Sequence, residues 1–216
     1  KKVSIPFEVY AFTSEWKYIN YQTTLPELHY EKKDGLFSIS PEFSLLNLFS
    51  SKVKTVEMER QMKNIFRIAN SFTSNYCSYQ YPTKLCLSGT PLNESLITLH
   101  QIVPQFKKDS KVQKVQCVVL TDGEASPLGY HVELHRYSDG EKYIGTRSFS
   151  RNCFIRNRKT GMTYKIDDGN YTEFTKTLVK DLRDSFPDVN FVGIRIVASR
   201  DAGSFIRRYV NDYEQQ

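Results

Sequence analysis

With 216 residues, 39% hydrophobic and 13% aromatic, the chain is long enough to bury a full core and is within the range of one large domain. Thirty basic against 24 acidic residues leave a net charge of +6, which permits anionic partners but falls short of a polybasic arm. Four widely spaced cysteines without a CxxC pair argue for free thiols in a reducing compartment, no window approaches the roughly 18 apolar residues that span a bilayer, and KKVSIPFEVY holds no signal-peptide core, so the chain reads as soluble and cytoplasmic.

Phe7 to Phe12 (FEVYAF) reads as a strand, rich in aromatic and β-branched residues and stopped by Thr13-Ser14. Residues 13 to 42 are punctuated by Pro26, Gly35 and Pro41 and read as irregular, with a short edge strand at Leu36 to Ile39. Phe43 to Phe49 is a short apolar helix candidate. From Val56 to Phe72 the positions Met58, Met62, Ile65, Ala69 and Phe72 step 4,3,4,3, predicting a long amphipathic helix packed by that face. A second such helix opens at Ser88-Gly89-Thr90-Pro91 and carries Leu92, Leu96, Leu99, Val103 and Phe106.

Val115 to Gly123 (VQCVVLTDG) is an apolar β-run that breaks into Thr121-Asp122-Gly123. It places a carboxylate at a strand's carboxyl end, where open α/β sheets bind ligands. Residues 124 to 170 lack helical periodicity. There Arg147 to Arg156 and Met162 to Ile166 flank the turn-forming Asn157-Arg158-Lys159-Thr160-Gly161, so 142–166 reads as a β-hairpin insertion projecting from the sheet. A helix over Tyr171 to Ser185, with Phe174, Leu178 and Leu182 inward, a strand over Asn190 to Ala198, and a helix from Arg200 with Phe205, Ile206 and Tyr209 complete the chain. Alternating strands and helices predict a single α/β domain over 1–216, with a mainly parallel sheet between helices.

The order FEVYAFTS, SGTPLNESL, VVLTDGEAS resembles the von Willebrand factor A (vWA) domain, in particular that of CobT-type cobalt-chelatase subunits and their phage-encoded relatives. The resemblance implies a Rossmann-like three-layer sandwich and a metal-ion-dependent adhesion site for Mg²⁺ or a similar divalent cation. In that family the site combines an Asp-x-Ser-x-Ser loop after the first strand, a threonine before a helix and an aspartate after the fourth strand. Thr90 matches the threonine and Asp122 the aspartate, with Ser88 and Glu124 beside them as partner-binding candidates; Asp-x-Ser-x-Ser occurs nowhere in the chain. The resemblance further implies a non-catalytic subunit working with an AAA+ ATPase of the CobS or MoxR kind, its metal site contacting an acidic protein ligand. In the vWA order the first strand is central. The chain is therefore expected to be a piece of a longer protein whose two core strands either pair directly or take a strand from another molecule, a route to self-association.

The two matched elements have their own chemistry. A hydroxyl and a carboxylate on different loops suit a hard cation that keeps most of its waters, but two of about six oxygens hold it weakly. Thr90 before Pro91 also reads as a helix N-cap, and Asp122-Gly123 as an ordinary turn. His131-Val-Glu-Leu-His135 puts two histidines and Glu133 on one strand face without forming the HExxH zincin motif. A second function class rests on Arg156, Arg158 and Lys159, which with Arg147, Arg151 and Lys165 interleave Tyr143, Phe149, Phe154 and Tyr164, a pattern for gripping phosphates or stacking bases. No GxSxG and no GxxxxGK[ST] occurs, so the sequence points to binding rather than catalysis.

Overall fold

The computed structural model describes residues 5–14, 31–40, 42–73, 85, 89–125, 128–149, 153–166 and 171–213. They form a mixed α/β structure of four helices and four small sheets, of which only one pairing is parallel. No helix among them is long and apolar enough to cross a membrane.

Strand β1, Glu8–Ser14, pairs antiparallel with β3, Phe43–Ser50, with Ala11 opposite Leu46 and a register shift between Val9 and Tyr10. The segment expected as a short helix is thus a strand. An apolar run of this length carries no period that separates the two states, and the β1 ladder decides it. The short strand β2, Phe37–Ser38, joins β5, Gly129–His135, and β6, Lys142–Ser148, in a three-stranded antiparallel sheet. Residues 142–166 therefore divide between two hairpins. β6 pairs back onto β5, and a separate hairpin is made by β7, Cys153–Arg156, and β8, Thr163–Ile166.

The turn of this second hairpin is built as its sequence suggests. Asn157 Oδ1 accepts the backbone N–H groups of Lys159 at 2.9 Å and Thr160 at 3.2 Å, and Gly161 takes φ +76°. It does not project, however. Ile155 and Ile166 lie in the main core with Leu96, Leu128, Phe174, Leu178 and Leu182, and Tyr164 is 6% exposed. Inward side chains on alternate positions fasten one face of the hairpin to helix α3, Tyr171–Ser185, whose Phe174, Leu178 and Leu182 are the buried face expected from their spacing.

The parallel pair is β4, Val115–Thr121, with β9, Val189–Arg195, followed by α4, Ser199–Tyr213. One face of the pair is open, with Val118, Leu120 and Ile194 about half exposed. Among the described residues β1 and β4 lie in different sheets, so the two core strands do not pair directly, and each keeps one unpaired edge.

Helix α1, Thr55–Thr73, contacts β3, and its half-buried positions are Met58, Gln61, Ile65, Ile68, Ser71 and Phe72, while Met62 and Ala69 face solvent. The packed stripe is rotated from the one expected, because Gln61 and Ile68 extend the inward arc on its other side. Helix α2, Leu92–Ser110, buries Leu96 and Val103 and ends at Lys111 with φ 53°. Its carboxyl-terminal end is tied to both strand pairs. Asp109 takes Lys52, just past β3, at 2.8 Å, and Lys107 pairs with Asp188, just before β9. Lys52 also reaches Glu8 at 2.9 Å, and Glu8 accepts the Tyr10 hydroxyl. Burial and that carboxylate push the Tyr10 phenol up to about 12.

Candidate functional site

At its other end α2 meets the carboxyl ends of β1 and β4. Gly89 has φ +73°, a left-handed conformation that glycine adopts without steric cost, and a Cβ there would overlap the hydroxyl of Ser14, the last residue of β1. The next residue, Thr90, stands against Gly123 just past β4. A Cβ on Gly123 would overlap Thr90 Oγ1 and lie 3.2 Å from its Cβ and 3.3 Å from its Cγ2. Two glycines, one on each partner of these close approaches, bring Ser14, Thr90 and the Thr121-Asp122-Gly123 turn to one place.

Thr90 is not the helix cap. Pro91 occupies the cap position without a side-chain cap, the first turn is closed by Ser95 N–H donating to the Pro91 carbonyl at 3.2 Å, and Leu92 N–H donates to the Thr90 carbonyl at 2.8 Å in a tight turn just before it. The threonine side chain is directed at the β4 loop instead. In that loop the Thr121 hydroxyl accepts the Gly123 N–H at 3.2 Å, which holds the turn and leaves the Asp122 side chain exposed. Of the two residues matched from the sequence, Thr90 thus stands against Gly123, the neighbour of Asp122 in the chain.

The other two candidates differ. Ser88 lies outside the described residues. Glu124 is exposed and its carboxylate accepts Arg195 at 3.1 Å, and that guanidinium lies 4.8 Å from the centre of the Phe205 ring. Glu124 is thus engaged within the fold, linking the β4 loop to β9 and α4.

Two residues escaped the sequence reading. Ser14 closes the FEVYAFTS strand, but nothing local distinguishes it from any strand-ending serine. Glu94, in the first turn of α2, is 9% exposed, and burial raises its carboxyl above the ordinary glutamate range. A glutamate so near a helix start reads as a dipole-compensating surface residue, and only the fold shows it to be covered.

The donors at this place are hard oxygens, two hydroxyls and a carboxylate, which suit Mg²⁺ in kind. They supply at most about half of the roughly six oxygens such an ion takes, so water must furnish the rest. Among the described residues no three of His, Cys, Asp and Glu gather as a ligand group. The HVELH segment shows why. His131 is 2% exposed in β5, while Glu133, two residues along the same strand face, is exposed and pairs with Lys142 at 2.7 Å, which holds its carboxyl below the usual range.

The basic hairpin residues take a different position. Arg156, Arg158 and Lys159 are all exposed, and Phe154, 61% exposed, stands opposite Lys165 on the outward face. Behind them a polar network roots the turn. Asn157 Nδ2 donates to Asp181 at 2.8 Å and to Ser185 at 3.1 Å, His100 reaches the other Asp181 oxygen at 3.1 Å, and Tyr164 donates to Asp184 at 2.9 Å. Burial lowers the His100 pKa despite Asp181.

The chain matches no protein-family model, no curated protein and no solved structure.

Proposed function

We propose that the chain is a vWA-like protein-interaction and assembly module, its sheet completed into a three-layer sandwich in the working state. At its centre is a partial divalent-cation site made by Thr90 and Asp122. The observation that supports this reading is the packing of Thr90 against Gly123, which turns the threonine away from helix capping and toward the carboxyl end of β4. By its resemblance to CobT-type subunits, the module would couple an AAA+ ATPase of the CobS or MoxR kind to a client, presenting Mg²⁺ to an acidic residue of the partner. The chain's own part is to hold two oxygens on separate loops and leave coordination positions to water or a partner.

Calorimetric titration of Mg²⁺ and Mn²⁺ into the protein tests the site. The expected result is weak binding that Asp122→Ala abolishes. Micromolar one-to-one binding would mean that the ligand set is fuller than this reading allows, and binding unaffected by Asp122→Ala would place it elsewhere. In a pull-down with the ATPase subunit, Asp122→Ala should lose capture.

A second reading, nucleic-acid binding, is favoured by one observation. The outward hairpin face sets Phe154 beside Arg156 and Lys165, an aromatic ring among cations. It requires affinity for a labelled single-stranded oligonucleotide that falls steeply with salt and weakens when Arg156 and Arg158 become alanine. Asp122→Ala should leave that binding unchanged.

A further inference from the structure

The first turn of α2 buries a carboxylate that the fold does not compensate. Asn93, Glu94, Ser95 and Leu96 are all buried, and four consecutive residues go right round a helix, so the turn is covered on every side. The two polar neighbours of Glu94 are satisfied. Asn93 Oδ1 accepts the Thr175 hydroxyl at 2.9 Å, and the Ser95 hydroxyl donates to the Leu92 carbonyl at 2.7 Å. Glu94, 9% exposed, is not: among the described residues no cation and no side-chain donor pairs with its carboxylate, which accepts only its own backbone N–H. The sequence shows why. A glutamate at the third helical position ordinarily reaches back to the backbone N–H of the cap residue, but the cap here is Pro91, which has none. The helix dipole favours an anion at this end without replacing the water that burial removes, and buried charges that persist are paired or hold metals.

The backbone N–H groups of a first turn point out of the helix's leading end, so a carboxylate folded onto its own N–H lies toward that end. There Gly89 stands on Ser14 and Thr90 on Gly123. We infer, on the reading of Thr90 and Asp122 as a cation site, that Glu94 is the buried carboxylate ligand of that divalent cation, with Asp122 as its exposed one. The donors around it are hard oxygens, the kind that Mg²⁺ and Mn²⁺ take. The ion would supply the positive charge that the fold withholds from Glu94, and Glu94 would supply a ligand fixed by the helix rather than by a loop.

Mn²⁺ alone is the probe, titrated into the protein and into Glu94→Gln and followed by loss of the free ion's electron paramagnetic signal. Melting temperatures are measured in excess chelator and in excess Mn²⁺. Glutamine keeps the shape and removes the charge, and it should weaken Mn²⁺ binding at least about tenfold, the least that losing even a group behind a metal ligand costs. In chelator the variant should melt above the parent protein, whereas in Mn²⁺ that difference should narrow or reverse, because ion binding stabilises chiefly the parent. A burial of Glu94 with no part in metal binding predicts the same difference in both conditions, and that result overturns the inference. So does unchanged Mn²⁺ affinity in Glu94→Gln; if Asp122→Ala abolishes binding in the same series, the reading of Thr90 and Asp122 stands and only Glu94 is removed from the site. Binding that Glu94→Gln weakens and Asp122→Ala does not would support Glu94 and overturn the role of Asp122. Absence of Mn²⁺ binding by the parent protein overturns both.

Discussion

Gly123→Ala is the sharpest perturbation of the proposed site, because the structure fixes what the added methyl meets. It would overlap Thr90 Oγ1 and sit 3.2 Å from Cβ and 3.3 Å from Cγ2. All three heavy atoms of the threonine side chain are therefore in the way. Rotation about χ1 can turn Hβ toward the new methyl, at the cost of the Thr90 side chain's present placement, but it leaves Cβ at 3.2 Å, so the β4 loop or the start of α2 must also give by a few tenths of an ångström. Overpacking of this kind costs about 1 to 3 kcal/mol. At about 2 to 4 °C per kcal/mol for a domain of this size, the melting temperature should fall by about 2 to 12 °C. Circular dichroism melts of the variant beside Gly203→Ala make the test. Gly203 lies within α4 with nothing within 4 Å of a new Cβ, so its substitution should be neutral or stabilising by up to about 1 kcal/mol. If Gly123→Ala melted with the parent protein, Thr90 would not stand on Gly123, and the argument for a shared site would fail with it.

Ile166→Ala should destabilise by about 2 to 5 kcal/mol in guanidinium titrations, since the side chain is 2% exposed among Phe174, Leu178 and Leu182. For the same reason removal of 153–166 should abolish cooperative unfolding, and a sharp transition in the deletion variant would show that the hairpin is dispensable. Glu94→Gln should stabilise the protein at neutral pH. Burial raises the folded-state pKa of Glu94, so the folded state favours the protonated form and loses stability as pH rises through that pKa; the advantage of glutamine should shrink as pH is lowered toward 4.5, and an advantage constant with pH would refute the assignment. In hydrogen exchange, amides on alternate residues of Val115–Thr121 should exchange quickly, because a parallel strand paired on one side bonds through every second residue. Uniform protection would mean that a strand already occupies the open edge.

How far the sequence revealed the structure depended on the distance over which each signal acts. The α3 stripe Phe174, Leu178, Leu182 and the β4 run were legible because helical period and apolar continuity are local properties. The hairpin turn was legible too, since Asn157 and Gly161 act within five residues. Phe43–Ser50 was misread because its state depends on β1, about thirty residues away. The rotated face of α1 was missed because Gln61 is polar, so a purely apolar count slides the stripe toward Met62. At the proposed site, Thr90 and Asp122 were named from motif chemistry, and the fold adds the approach of Thr90 to Gly123. Ser14 and the burial of Glu94 were not, because they arise only where three elements meet.

The placement of α2 has a mechanical consequence. At one end of this helix, about 28 Å long, its leading residues Gly89 and Thr90 touch Ser14 and Gly123; at the other, Asp109 and Lys107 hold Lys52 and Asp188. Each strand pair is thus pinned to the same rod twice. A turn of that rod by one residue, about 100°, would break all four attachments together. A small sliding movement would instead shift the spacing between Ser14 and the Asp122 turn from a point about 28 Å away. The helix works as a gauge bar, and pulling on the Lys52–Asp109 clasp should be felt at Thr90.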